Sequence, residues 1–110
     1  MGRDYTATVV YGTVFKYSDV PDQFMNKIEE EYMMAKNNAL GWLSVPDLGQ
    51  ILYLTESLVT IDRHDRTHTR QLNISSTTEN QFGVEVNKYP PLLVRIQQLG
   101  VSPNWYLIYD

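Results

Sequence analysis

The residues of this sequence best suited to chemistry are gathered in one short polar segment, residues 62–70. The segment reads DRHDRTHTR and contains both histidines of the chain and three of its five arginines. His64 and His68 are of the type that binds a metal ion through nitrogen, with Asp62 or Asp65 adding an oxygen. In a strand, however, side chains four residues apart lie roughly 13 Å from each other. The neighbouring arginines would also repel a divalent cation. We therefore expect no metal here and no cofactor.

The same segment carries the groups needed to bind an anion. Arginine forms paired hydrogen bonds to phosphate oxygens, and an exposed β-hairpin can present such side chains to a nucleotide, to RNA or to another small anionic ligand. The alternative is a solvated hairpin tip, in which exposed Asp–Arg pairs contribute little to stability. Anion binding is therefore our second functional hypothesis, and its contacts would be made by Arg63, His64, Arg66, His68 and Arg70.

No other part of the sequence forms a recognised catalytic set. The chain has no cysteine, which excludes thiolate catalysis and cysteine-based zinc sites. It also lacks a Gly-x-Ser-x-Gly motif and a glycine-rich phosphate loop. Tyr11 and Phe15 are aromatic residues of a predicted strand, but residues 67–75 contain none. The two-strand platform on which RNA-recognition motifs stack bases is therefore missing. We expect a protein that is not an enzyme.

Length and composition bound the fold and its setting. A chain of 110 residues, 43% hydrophobic and 20% charged, has the size and composition of one globular domain, which we expect to span residues 1–110. The net charge of −4 disfavours a general polyanion binder. The sequence has no 18-residue apolar run, so we expect no contact with a membrane. Because disulfides are absent, we expect a cytoplasmic protein.

Hydrophobic periodicity predicts the elements of the N-terminal half. Residues 6–17 are β-branched and aromatic and alternate as a strand does, and Gly12 marks a bulge or a close approach of two backbones. Residues 20–39 repeat apolar side chains at helical spacing, and Gly41 is expected to end this helix. Residues 40–49 contain two glycines and a proline. They are predicted to be a connector.

The C-terminal half predicts further strands and a second helix. Residues 50–62 form one long strand or two short ones, because the apolar alternation changes phase near Glu56 and Ser57. Residues 67–75 return as the partner strand. The sequence leaves open whether residues 77–87 contain a short strand, although Phe82, Val84 and Val86 alternate as in one. The remaining predicted elements are a helix opened by two prolines, residues 90–99, and a last strand, residues 105–109.

These elements follow one another as strand, helix, strand, strand, helix, strand. We therefore predict an α+β domain with the ferredoxin-like order βαββαβ, in which an antiparallel sheet carries both helices on one face.

A group of apolar residues lies outside the predicted helix face and in the predicted connector. Flexible methionines beside a tryptophan are typical of protein contact surfaces, although a connector that folds back would bury them in the core instead. We predict a protein-binding surface formed by Met33, Met34, Leu40, Trp42 and Leu43.

The leading functional hypothesis is a non-enzymatic interaction module of the accessory, adaptor or inhibitor type, a kind common among viral and phage proteins. Its partner is another protein or a second copy of the chain. An edge strand, either the one near residues 105–109 or its neighbour, offers a second route to the same function through strand addition.

Overall fold

A computed structural model describes residues 6–35, 38–62 and 76–109 of the chain. In these ranges five strands, three helices and one short 3-10 turn follow each other along the sequence. The elements are β1 (Thr6–Lys16), α1 (Asp22–Ala35), β2 (Leu40–Val45), β3 (Gly49–Leu54), the 3-10 turn (Thr55–Ser57), β4 (Val59–Asp62), α2 (Ser76–Asn87), α3 (Pro90–Leu99) and β5 (Asn104–Tyr109).

The five strands form one antiparallel sheet around β1. Along one side of β1, residues 12–16 pair with β3 and residues 6–9 pair with β4. Along the other side, residues 7–12 pair with β5. β2 pairs with the outer side of β3. Among the described strands, β2, β4 and β5 each pair with one neighbour only, so each is an edge of the sheet.

The three helices pack on one face of this sheet. Alternate residues of β1, Tyr11 and Phe15, turn toward them together with Leu52 and Leu54 of β3. Side chains from each helix complete the cluster; these are Met25 and Ile28 of α1, Phe82 and Val86 of α2, and Leu92 of α3. A second, smaller cluster lies on the opposite face and centres on Val10, Val14 and Ile51.

The α+β class and the antiparallel sheet are confirmed, but the predicted ferredoxin-like order βαββαβ is not matched. The described order is β1 α1 β2 β3 β4 α2 α3 β5. The change of phase at Glu56 and Ser57 is confirmed, since the 3-10 turn separates β3 from β4 there. β3 and β4 nevertheless pair in succession along the same side of β1. The predicted partner strand, residues 67–75, lies outside the described residues.

The predicted connector and the predicted helix end were wrong. Residues 40–45 form strand β2, and Gly41, expected to stop α1, lies within it. α1 is described as Asp22–Ala35, and residues 38 and 39, which the predicted helix included, form a turn. A strand was not expected here because β2 has apolar side chains on both of its faces, which removes the polar–apolar alternation that identifies a half-exposed strand.

The sequence left a short strand through Phe82, Val84 and Val86 open, and residues 76–87 form helix α2 instead. Phe82 and Val86 are four residues apart, so on a helix they share a face, and both are buried against the core. Val84, two residues from each, is 55% exposed. A five-residue segment with apolar residues at 82, 84 and 86 fits either period, and packing of Phe82 and Val86 selects the helix.

Candidate functional site

The five residues predicted to bind a partner protein do not form one surface. Met33 and Met34 are exposed on α1, by 65% and 74%. Leu40 is only 2% exposed and belongs to the core. Trp42 and Leu43 are half-buried neighbours in β2, and neighbouring residues of a strand point to opposite faces of a sheet. The structure therefore leaves the two methionines as the accessible part of the predicted surface.

Trp42 is held on the helix-covered face by two other aromatic rings. Its ring stacks on Tyr32, with ring centroids 5.7 Å apart and an interplanar angle of 22°, and it lies 5.8 Å from the ring of Phe15. The hydroxyl of Tyr32 donates to the carbonyl oxygen of Leu40 at 3.2 Å, which ties α1 to β2. Burial of the phenol, with a smaller contribution from Tyr53, raises the pKa of Tyr32. These contacts assign Trp42 a packing role.

The predicted anion-binding residues, Arg63, His64, Arg66, His68 and Arg70, lie outside the described residues. The metal prediction concerned the same segment. Among the described side chains, no group of three or more His, Cys, Asp or Glu is placed to hold a metal ion.

The open edge at β5 is the strongest candidate site, and the backbone of β1 explains why. Successive residues of a strand direct their N–H and C=O groups alternately to its two sides. The N–H of Tyr11 donates to Oγ of Ser57 at 2.8 Å. Just after the strand, the N–H of Tyr17 donates to the carbonyl of Leu48 at 3.1 Å. Odd-numbered residues of β1 thus face β3 and β4, and even-numbered residues face β5.

This alternation fixes the direction of the backbone groups in β5. Val10 of β1 is paired with Tyr106, so the even-numbered residues of β5 are those bonded to β1. The odd-numbered residues, Trp105, Leu107 and Tyr109, direct their N–H and C=O groups away from the sheet. Within residues 6–35, 38–62 and 76–109, no hydrogen bond engages these outward groups.

Two side chains of β5 are also exposed at this edge. Leu107 is 52% exposed and Tyr109 is 73% exposed. Leu107 is paired with Val9 and so points to the helix-covered face, beyond the area that the helices shield. Trp105, on the same face, is instead covered and packs edge-on against Tyr11 at 5.3 Å. The outer end of β5 therefore offers apolar side chains beside unpaired backbone groups.

The composition of this edge is unusual for a strand exposed to solvent. No charged residue occurs from Gly100 to Tyr109, and no proline occurs within β5. Natural proteins commonly protect edge strands with lysine, proline or a bulge. At the β2 edge, by contrast, the apolar residues are buried or half-buried. Exposed apolar area and unpaired backbone thus coincide at β5.

A small cavity lies next to this edge, where β1 continues past the start of β5. The last pair of the two strands is Gly12 with Asn104, so residues 13–16 of β1 have no described strand on that side. The cavity of about 260 Å³ includes Lys16 and Asp19 in its lining. Burial raises the pKa of the lining residue Tyr106. Because Lys16 and Asp19 are of opposite charge, this lining selects no single class of ligand.

No protein-family model matches this chain, and comparisons with curated proteins and with solved structures found no match either. None of the helices in the described ranges is both long enough and apolar enough to cross a membrane.

Sequence reasoning identified the edge only as a secondary route. The strand at residues 105–109 was predicted from the sequence, and the lack of charge there was also visible in it. The sequence did not establish that β5 lies at the edge of the sheet, because strand order depends on pairing between residues far apart in the chain. The sequence left open whether Leu40 and Trp42 are exposed or buried, because that also depends on contacts between residues far apart in the chain.

Proposed function

We propose that this chain is a protein-interaction module that binds an extended segment of another polypeptide along β5. The observation that supports the proposal is the coincidence of outward N–H and C=O groups at Trp105, Leu107 and Tyr109 with the exposed side chains of two of these residues. A polypeptide added to such an edge gains affinity from main-chain hydrogen bonds, and its alternate side chains provide specificity.

The added strand would extend the sheet beyond β5. It would bond to the three outward residues and cover the exposed side chains of Leu107 and Tyr109. Tyrosine is enriched among the residues that supply most of the binding energy of interfaces, and covering Leu107 removes further apolar area from water. The methionines Met33 and Met34 lie on α1 and are not needed for this mode of binding, so they provide a second exposed surface as a control.

The test uses a substitution that removes only the outward hydrogen-bond donor. Leu107→Pro deletes the N–H that points away from β1, and an edge strand tolerates proline at such a position. Leu107→Ala shortens the side chain similarly but keeps the N–H. We expect both variants to fold with similar circular dichroism, whereas Leu107→Pro should bind a partner at least tenfold more weakly than Leu107→Ala.

Partner contact is measured by replacing Tyr109 with the photo-crosslinking residue p-benzoylphenylalanine and irradiating the protein in extract from its native cells. The same replacement at Met33 controls for adventitious contact. We expect a defined adduct from position 109, and its loss when Leu107→Pro is added but not when Leu107→Ala is added. An adduct that survives in the folded Leu107→Pro protein would show that binding does not use the β5 backbone.

A further inference from the structure

We propose that the polypeptide bound at β5 is a second copy of this chain, paired antiparallel so that Leu107 lies opposite its own counterpart. This inference rests on the proposed function and adds the identity of the partner. The resulting dimer is a closed, two-fold arrangement in which the sheets of both copies join through their β5 strands.

The backbone selects one register for such a pair. When two copies of a strand pair antiparallel about a two-fold axis, one residue lies opposite itself. If that residue is Leu107, the outward groups of Trp105 meet those of Tyr109 and those of Leu107 meet each other. An axis at Tyr106 or at Ile108 would pair only two of the three outward residues. The register centred on Leu107 therefore forms the most hydrogen bonds.

The side chains agree with this register. Trp105, Leu107 and Tyr109 all point to the helix-covered face, so the two leucines meet across the new strand pair, and Tyr109 lies beside Trp105 of the other copy. Residues directly opposite in an antiparallel pair have Cβ atoms about 4.5–5.5 Å apart, and apolar and aromatic pairs at this distance are favourable. The most exposed large apolar residues of β5 are thereby covered.

The absence of charge along β5 is compatible with a second copy at this edge. Each chain carries a net charge of −4, so two copies repel each other in general. From Gly100 to Tyr109 there is no charged residue, so two β5 strands can meet without placing like charges opposite one another.

The area of contact sets the expected strength. An interface built on one six-residue strand from each copy buries less than the roughly 1,200 Å² of ordinary stable complexes. We therefore expect a dimer that forms and dissociates with concentration, with a Kd on the order of micromolar or weaker.

The chain has no cysteine, so a single introduced cysteine reports the register directly. In the proposed pair the Cα atoms at position 107 are about 5.5 Å apart, within the range that a disulfide spans. We therefore expect Leu107→Cys to form a disulfide-linked dimer under mild oxidation. The protein concentration is set about 100 times above the value at which half of the dimer dissociates, so that most chains are paired. Tyr109→Cys is the matched control, since its counterpart would lie roughly 13 Å away along the pair, and it should stay monomeric on a non-reducing gel.

The controls separate this inference from the proposed function. Met33→Cys reports linkage by random collision, and light scattering over a concentration series reports the unmodified chain. Equal linkage at positions 107, 109 and 33, or a monomer at every concentration, would overturn the second-copy proposal. If a monomeric chain still gives an adduct with a different protein at position 109 that Leu107→Pro abolishes, strand addition stands and only the partner is wrong. If that adduct also fails to appear, both proposals are wrong.

Discussion

Tyr11 donates its backbone N–H to the side chain of Ser57, at 2.8 Å, in the middle of the central strand. At this point the pairing of β1 passes from β3 to β4, and no backbone carbonyl of the partner strands is in register to accept the bond. Ser57 is 6% exposed, and its hydroxyl also donates to the carbonyl of Leu54 at 2.6 Å. The Ser57 hydroxyl thus accepts the hydrogen bond from Tyr11 that a backbone carbonyl of β3 or β4 would accept in an uninterrupted strand pair.

We expect Ser57→Ala to lower the free energy of unfolding by about 1–3 kcal/mol, because it leaves the buried N–H of Tyr11 without a partner. Urea unfolding followed by circular dichroism measures the change. Ser44→Ala, which removes an exposed hydroxyl from β2, is the control and should shift stability by less than about 0.5 kcal/mol. A similarly small change in Ser57→Ala would mean that water satisfies the N–H of Tyr11 in solution.

Gly12 is predicted to be irreplaceable by alanine. A Cβ atom at this position would collide with the carbonyl oxygen of Leu52 and lie 2.6 Å from the Cα atom of Tyr53. Both are backbone atoms of β3, so relief requires the two strands to separate. We expect Gly12→Ala to destabilise the fold by several kcal/mol or to prevent folding, as overpacked positions do.

Gly83 provides the matched comparison, since a Cβ atom there would meet no other atom within 4 Å. It lies in α2, where alanine is favoured over glycine by about 0.5–1 kcal/mol. Gly83→Ala should therefore raise the melting temperature while Gly12→Ala lowers it. A Gly12→Ala protein as stable as the parent would show that β1 and β3 are further apart than described.

Ile28 is the fully buried centre of the α1 contact, at 0% exposure. We expect Ile28→Ala to cost about 2–5 kcal/mol, because it removes buried methylene and methyl groups and leaves a cavity. Thermal unfolding measures the loss. Met34→Ala, on the exposed side of the same helix, should be nearly neutral. If the two losses were equal, the face of α1 that packs on the sheet would be assigned wrongly.

Stability should fall at alkaline pH. Burial raises the pKa of Tyr32, with a contribution from Tyr53, and burial also raises the pKa of Tyr106. A folded-state pKa above the ordinary value of about 10 gives stability that is fully present below that value. This stability is lost as the pH rises through the folded-state pKa.

We expect the free energy of unfolding to decline above about pH 10, and Tyr32→Phe to make that decline shallower. The variant also loses the hydrogen bond from Tyr32 to Leu40, so its stability at neutral pH should be lower. The relevant quantity is the slope of stability against pH between neutral and alkaline conditions, measured by urea unfolding at each pH. An unchanged slope would mean that Tyr32 ionises as freely in the folded chain as in the unfolded one.

Local signals in the sequence were sufficient for β1, α1, α3 and β5. The helix in α1 was recognisable because its apolar residues repeat at helical spacing, and Met25 and Ile28 are indeed its buried residues. Gly12 was predicted as a bulge or a close approach, and the close approach is confirmed. The change in apolar alternation near Ser57 was also visible in the sequence, because alternation is a property of neighbouring residues.

The remaining features depend on residues far apart in the chain. β2 carries apolar side chains on both of its faces and is buried or half-buried at most positions, so its own residues carry no alternation. The sequence of α2 fits the spacing of a strand and that of a helix equally well. The packing of Phe82 against Tyr11, with ring centroids 5.7 Å apart, decides in favour of the helix. The site at β5 needed the strand order, which no local pattern contains.

The pairing of β1 with β5 has a consequence for the order of assembly. Ala7 lies opposite Tyr109, with about a hundred residues between them. Closing so long a loop is entropically unfavourable before other contacts have formed, and such distant contacts slow folding. β2, β3 and β4 are all complete by Asp62, whereas β5 follows every other described element in the chain. The central strand can therefore be paired on one side before β5 has been synthesised to pair with the other.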